Sequence, residues 1–179
     1  LGGVIFVTGW GLMYNTGNKD FLNSLIVTVY YALGTVPAEI IIGLVLAYIL
    51  YQDIVGKQVF RMIYFLPYIT PSISTAVVFQ IIFSSRETSF ANRLIGLVGM
   101  DPLKWRFEPK PVLNLLGLNV SGIAGGPSLA LLTIIIYGIW SFVGYNTVIF
   151  LSGLGNIPKE IYEAAEIDGG SKWDRFWNI

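Results

Sequence analysis

The sequence predicts an all-α protein, a polytopic bundle of transmembrane helices. Three observations predict it: apolar stretches long enough to cross a bilayer, a shortage of charge, and small residues and prolines set inside those stretches. Of the 179 residues, 54% are hydrophobic and 12% charged, whereas a soluble domain carries about a quarter charged residues. Too little polar material remains to cover a water-facing surface. Eleven Lys and Arg balance eleven Asp and Glu, so the charge gives no reason to expect nucleic acid as a partner. Cysteine and histidine are both absent. That excludes disulfides, thiolate metal sites and thiol nucleophiles, and it removes the commonest metal ligand and general base. No catalytic residue and no metal site is expected.

Taken in order, residues 1–23 form a lead-in. Residues 1–14 are apolar but hold four glycines and are too short to span; without a charged leader or cleavage site they read as the tail of a preceding helix or an interfacial segment. A transmembrane region, residues 24–154, follows, with spans at about 25–50, 59–83 and 129–154. Each is long enough, at about 1.5 Å per residue, to cross a hydrocarbon core about 30 Å thick. Gly34 with Ala38, and Gly43 with Ala47, are small residues at four-residue spacing, where helices approach closely. Pro37 in the first span, and Pro67 with Pro71 in the second, remove backbone donors and are expected to bend their helices.

The short polar turn 51–57 joins antiparallel neighbours on one side of the membrane, which places the long loop 84–127 on the other. Within that loop Leu94, Ile95, Leu97 and Val98, beside Asn92 and Arg93, predict a short helix lying on the interface, and Trp105 is expected to be an interface anchor. The basic residues orient these loops poorly. Lys57, Arg61, Lys159, Lys172 and Arg175 on one side stand against Arg86, Arg93, Lys104, Arg106 and Lys110 on the other.

Residues 155–179 return to polar composition. Pro158 suits a first helical position, acidic residues follow in the first turn, and Gly169-Gly170 end the helix. Ser171 followed by Asp174 reads as a capping box, opening a second helix whose Trp173, Phe176 and Trp177 share one aromatic face. By residues alone this tail is either an interfacial anchor or a protein-docking element.

Two groups of intramembrane polar or aromatic residues are candidates for a pathway. Glu39 sits near the middle of the first span, where a charge costs about 2.5 to 3.5 kcal/mol. The fourteen Leu, Ile and Val residues from 24 to 50, contributing about 0.3 to 0.6 kcal/mol each, outweigh it. Glu39 faces either a wet pathway or polar partner, or serves as a structural carboxyl. Trp140, Tyr145 and Asn146 combine stacking faces with an amide, the chemistry a sugar ring requires, and the same residues also suit packing between helices.

Glu163-Ala164-Ala165, three residues, Gly169, nine residues and then Ile179 resembles the cytoplasmic EAA loop of the integral-membrane permease subunits of bacterial ABC importers. In that family the pattern continues, after one more residue, with Leu-Pro. The resemblance extends through Asn23-Ser24-Leu25, Val36-Pro37, Gly43-Leu44 with Ala47, Gly56-Lys57 with Phe60-Arg61, and Phe65-Leu66-Pro67. Asn92 with Leu94, Trp140 with Gly144-Tyr145-Asn146, and Leu151-Ser152-Gly153-Leu154 running into Ile157-Pro158-Lys159-Glu160 complete it. This run is similar to the carbohydrate branch, of the maltose and multiple-sugar type.

The resemblance implies a partial bundle of the type I ABC importer permease kind in the bacterial inner membrane. It implies that 155–179 is cytoplasmic, the turn 51–57 inside and the loop 84–127 outside. In the family, EAA helices sit in a groove of the ATPase subunit, so Glu163, Ala164, Ala165, Asp168, Gly169, Trp173 and Phe176 are the expected coupling residues. ATP and Mg are expected on that separate ATPase, because this chain lacks a phosphate loop ending in Gly-Lys-Ser or Gly-Lys-Thr. The implied partners are the ATPase subunits, a second permease subunit, an extracytoplasmic solute-binding protein, a sugar and membrane lipid. The competing readings are a permease for another solute, such as a glycerol phosphate or polyamine, and a non-transport membrane-anchored structural protein.

Overall fold

The computed structural model describes residues 9, 11, 19–52, 54–115, 117–118, 120, 125–171 and 173. These residues are helical wherever they are regular: α1 (Lys19–Tyr51), α2 (Lys57–Ile69), α3 (Ser72–Ile82), α4 (Phe90–Gly96), a 3-10 turn (Trp105–Phe107), α5 (Val112–Leu115), α6 (Leu129–Gly155) and α7 (Lys159–Ile167). No strand occurs among them beyond an isolated bridge between Pro111 and Ser128.

α1 has 33 residues and α6 has 27. At about 1.5 Å per residue both exceed a hydrocarbon core of about 30 Å, and both are apolar enough to cross it. α1 starts at Lys19, several residues earlier than expected, because Asp20 in its first turn suits the positive end of a helix. Pro37 lies inside α1 without breaking it.

The expected second span, 59–83, is not one helix. It is divided between α2 and α3 at Thr70 and Pro71, and either piece alone is too short to cross. Pro71 lacks the N–H that would continue the ladder and pushes Thr70 out of the helical region. The chain restarts when the Pro71 carbonyl accepts from the Ser74 and Thr75 N–H groups at 3.0 and 3.2 Å. Pro67, by contrast, is accommodated inside α2.

The chain divides into two compact units. The first comprises residues 1–38 and 70–140, the second residues 39–69 and 141–179. In the first, Gly34 of α1 meets Ile135 of α6, and Gly138 of α6 meets Tyr31 and Thr35 of α1. Each is a place where a Cβ would collide. The loop between α3 and α6 closes on a core of Ala91, Trp105 and Leu129, flanked by Phe83, Leu103 and Val112. Its base is clamped where Val112 N–H donates to the Pro127 carbonyl (3.0 Å) and Leu129 N–H to the Lys110 carbonyl (3.2 Å).

Asn92 organises that loop. Its amide nitrogen donates to the carbonyls of Arg86 (3.0 Å), Leu103 (3.2 Å) and Ser84 (3.4 Å), and its oxygen accepts from Leu103 N–H (3.0 Å) and Trp105 Nε1–H (2.7 Å). Trp105 is therefore not an interface anchor. Its indole is buried, bonded to Asn92 and packed edge-on against Phe83 at 5.2 Å, because a fully satisfied N–H inside an apolar core outcompetes the headgroup region.

In the second unit Ala47, Leu50 and Leu151 form the core, with Tyr51, Ile54, Tyr64 and Leu154 packed around them. Gly43 of α1 lies against Asn146 of α6, and Gly144 of α6 lies against the backbone carbonyl of Tyr64 in α2. The small residues predicted from spacing thus mark real helix contacts. Three threonine hydroxyls are satisfied within their own helix: Thr35, Thr133 and Thr147 donate to the carbonyls of Tyr31, Ala130 and Val143 at 2.7, 2.6 and 2.7 Å, whereas Thr75 shares a 2.9 Å hydrogen bond with the Tyr137 hydroxyl between α3 and α6.

Candidate functional site

The segment after α6 builds the most distinctive local geometry. Pro158 ends the connection with φ −58° and ψ 139° and stands just before the helix, one position earlier than the first helical place expected for it. α7 then runs for nine residues. At its end Gly169 takes φ +79°, its N–H bonds the Glu166 carbonyl (3.1 Å), and Gly170 N–H bonds the Ala165 carbonyl (2.8 Å). These two bonds form a Schellman motif, which reverses the chain and satisfies the last carbonyls of the helix. A Cβ on Gly170 would lie 2.8 Å from that same Ala165 oxygen.

One face of α7 turns to the protein. Tyr162 and Ala165 are half-buried, and the Tyr162 ring lies 6.1 Å from Tyr51 at the end of α1. Burial raises the Tyr162 phenol above its ordinary pKa, and Tyr51 and Tyr48 beside it push the same way. The opposite face, with Ile161, Glu163, Ala164, Ile167 and Asp168, is exposed. An exposed surface holding Ile161 and Ile167 next to two carboxylates has the make-up of a protein contact.

Of the expected coupling residues, Glu163, Ala164, Ala165, Asp168 and Gly169 lie together on α7 and its turn. Trp173 is helical and exposed. Phe176 and most of the expected second helix, including Asp174 of its capping box, lie outside the described residues. The Tyr51–Tyr162 pair has no local sequence signal, since the partners are far apart along the chain.

The intramembrane candidates divide between the units. In the second, Asn146 Nδ2 donates to Glu39 Oε2 at 3.5 Å, the long limit of a hydrogen bond, across the gap that Gly43 leaves open. Tyr145 stacks on Tyr68 at 4.6 Å and 20°, with Phe65 and Phe142 completing the cluster. In the first unit, Trp140 packs with Phe79 (5.2 Å) and Tyr137 (6.5 Å). No group of three or more Asp or Glu side chains able to hold a metal occurs among the described residues.

A family model described as the binding-protein-dependent transport system inner membrane component matches residues 39–179. The arabinooligosaccharides transport system permease protein AraP of Bacillus subtilis is 31% identical over 163 residues, covering 90% of this chain and 46% of that one. The trehalose/maltose transport system permease protein MalF of Thermococcus litoralis is 30% identical over 161 residues, covering 90% and 48%. This chain thus spans about half the length of the curated relatives it matches. Among solved structures, the crystal structure of a bacterial ABC transporter involved in importing the acidic polysaccharide alginate matches with a TM-score of 0.65 at 17% identity. That match covers 86% of this chain and 48% of the other, and it establishes likeness of fold.

Proposed function

Because the chain belongs to the family of binding-protein-dependent transport system inner membrane components, we propose that it forms part of the membrane pathway of an ATP-driven importer for a sugar or oligosaccharide. The names of its relatives, which concern arabinooligosaccharides and trehalose or maltose, support a saccharide cargo. The observation that carries the coupling role is α7 itself: a short amphipathic helix following α6, ended by a glycine turn and presenting Ile161, Ala164 and Ile167 outward. In this reading α7 docks on a separate ATPase subunit, which binds ATP and Mg. Small Ala164 admits a close partner surface, and Glu163 offers a carboxylate to a basic group.

Asp168 and Trp173 are assigned to the same docking role, as is Phe176, which lies outside the described residues. The turn at 51–57 lies on the cytoplasmic side with α7, and the loop 84–127 faces an extracytoplasmic solute-binding protein. A second permease subunit completes the pathway, to which Glu39, Asn146, Tyr145 and Trp140 contribute polar and stacking surface.

The test is made on the intact permease co-expressed with its cognate ATPase in membranes. Gly169→Leu is expected to abolish ATPase co-purification and ATP-dependent uptake of labelled maltose or arabinooligosaccharide while membrane insertion stays intact, because no L side chain fits φ +79° without strain. Full co-purification and uptake in that variant would overturn the coupling role.

A further inference from the structure

Two points hold α7, both within the second unit. The chain reaches it from α6 through three residues, 156–158, where the Asn156 and Ile157 N–H groups donate to the carbonyls of Gly153 and Leu154 at 3.0 and 3.3 Å. The second point is Tyr162, half-buried, its ring 6.1 Å from that of Tyr51. Burial raises the Tyr162 phenol, and Tyr51 and Tyr48 beside it add to the rise. Tyr48 and Tyr51 stand three residues apart on α1 and share one face of it. Two phenols of α1 thus form a seat for the one on α7.

Tyr51 is itself anchored. It packs on the core of Ala47, Leu50 and Leu151, against which Tyr64 of α2 and Leu154 of α6 also rest. Its carbonyl, at the end of α1, accepts from Nζ of Lys57, the first residue of α2, at 3.3 Å. A nine-residue helix joined at one end swivels about that joint, whereas a second fixed point turns a push on it into movement of whatever it rests upon.

We infer that Tyr51 is a positioning residue for transport, the point at which movement of α7 enters α1 and α2 as well as α6. The inference rests on the coupling role proposed for α7 and adds to it a residue far upstream of that helix. Docking and transmission then use different faces. Ile161, Ala164 and Ile167 face outward, while Tyr162 sits on Tyr51. Without the seat, α7 stays bound to the ATPase but swivels on residues 156–158, and the push is spent there.

The experiment uses the intact permease with its cognate ATPase in membranes and reads three quantities: ATPase co-purification, ATP turnover per bound ATPase, and uptake of labelled maltose or arabinooligosaccharide. Tyr51→Ala is expected to keep co-purification at the unaltered level and to lower turnover and uptake about tenfold, the order of effect of removing an aromatic pair with the area it buries. Tyr51→Phe, which keeps the ring, is expected to retain all three. Tyr162→Ala, which leaves the core around Leu50 untouched, is expected to show the same split and serves should Tyr51→Ala not insert. The double variant is expected to be no worse than either single one, because each removes the same contact. Uptake at the unaltered level in Tyr51→Ala or Tyr162→Ala overturns the inference. So does a double variant whose losses multiply, or a Tyr51→Ala protein that inserts but no longer holds the ATPase. Normal transport in these variants beside a failed Gly169→Leu strikes Tyr51 alone and leaves α7 as the docking helix; normal transport in Gly169→Leu as well removes the coupling role itself.

Discussion

Asn92 ties backbone from 84, 86 and 103 to the indole of Trp105 with a single buried amide. Truncating it leaves the Leu103 N–H and the Trp105 indole N–H inside an apolar core with no acceptor. Asn92→Ala is therefore expected to destabilise the loop between α3 and α6 by about 3 kcal/mol, seen as a lower thermal midpoint of the purified protein. An unchanged midpoint would show that water replaces the amide. Two glycines of α6 make a sharper pair. A Cβ at Gly144 runs into the Tyr64 backbone carbonyl, an atom that cannot rotate away, whereas a Cβ at Gly153 meets nothing within 4 Å. Gly144→Ala is expected to cost about 3 kcal/mol, and Gly153→Ala to gain up to about 1 kcal/mol through helix propensity. Equal effects at the two positions would refute the contact. The need for small residues was legible in the sequence. Which glycine bears a contact was not, because that depends on the facing helix.

At the scale of elements, α7 was legible because its signals are local: a proline before it, acidic residues in its first turn and two glycines after it. The second span was less so. Pro67 and Pro71 carry the same chemistry, yet one sits inside a helix and the other ends the gap between two, an outcome decided by tertiary context rather than by the ring. The anchoring of α7 through Tyr162 and Tyr51 joins the two ends of the second unit and has no sequence pattern. Its pH dependence follows from the raised phenol pKa. The contact contributes fully below the free phenol value of about 10 and is lost only as pH rises through the higher folded value. ATPase stimulation through α7 is thus expected to be insensitive to Tyr162 ionisation from about pH 6 to 9. Tyr162→Phe is expected to preserve stimulation and Tyr162→Ala to reduce it, read as ATP turnover in reconstituted vesicles.

For the whole molecule, the absence of cysteine makes orientation directly measurable. A thiol placed at Ser85 is expected to react with a membrane-impermeant maleimide added to intact spheroplasts, and one at Gln52 only after the membrane is opened. The reverse pattern would invert the topology and remove α7 from the cytoplasm. Composition made the membrane class plain and the spacing of small residues located the seams. A small cleft lined by Phe79, Phe83, Arg106 and Tyr137 was invisible because its lining comes from a loop and two helices distant in sequence. One last property emerges from the threonines. Thr35, Thr133 and Thr147 each return their proton to their own helix, so these hydroxyls lend no adhesive between neighbours. The polar ties lie elsewhere, at Asn146 with Glu39 between α6 and α1 and at Thr75 with Tyr137 between α3 and α6; between such points the seams cohere by shape, and a rod held that way slides along its neighbour with few polar bonds to rupture.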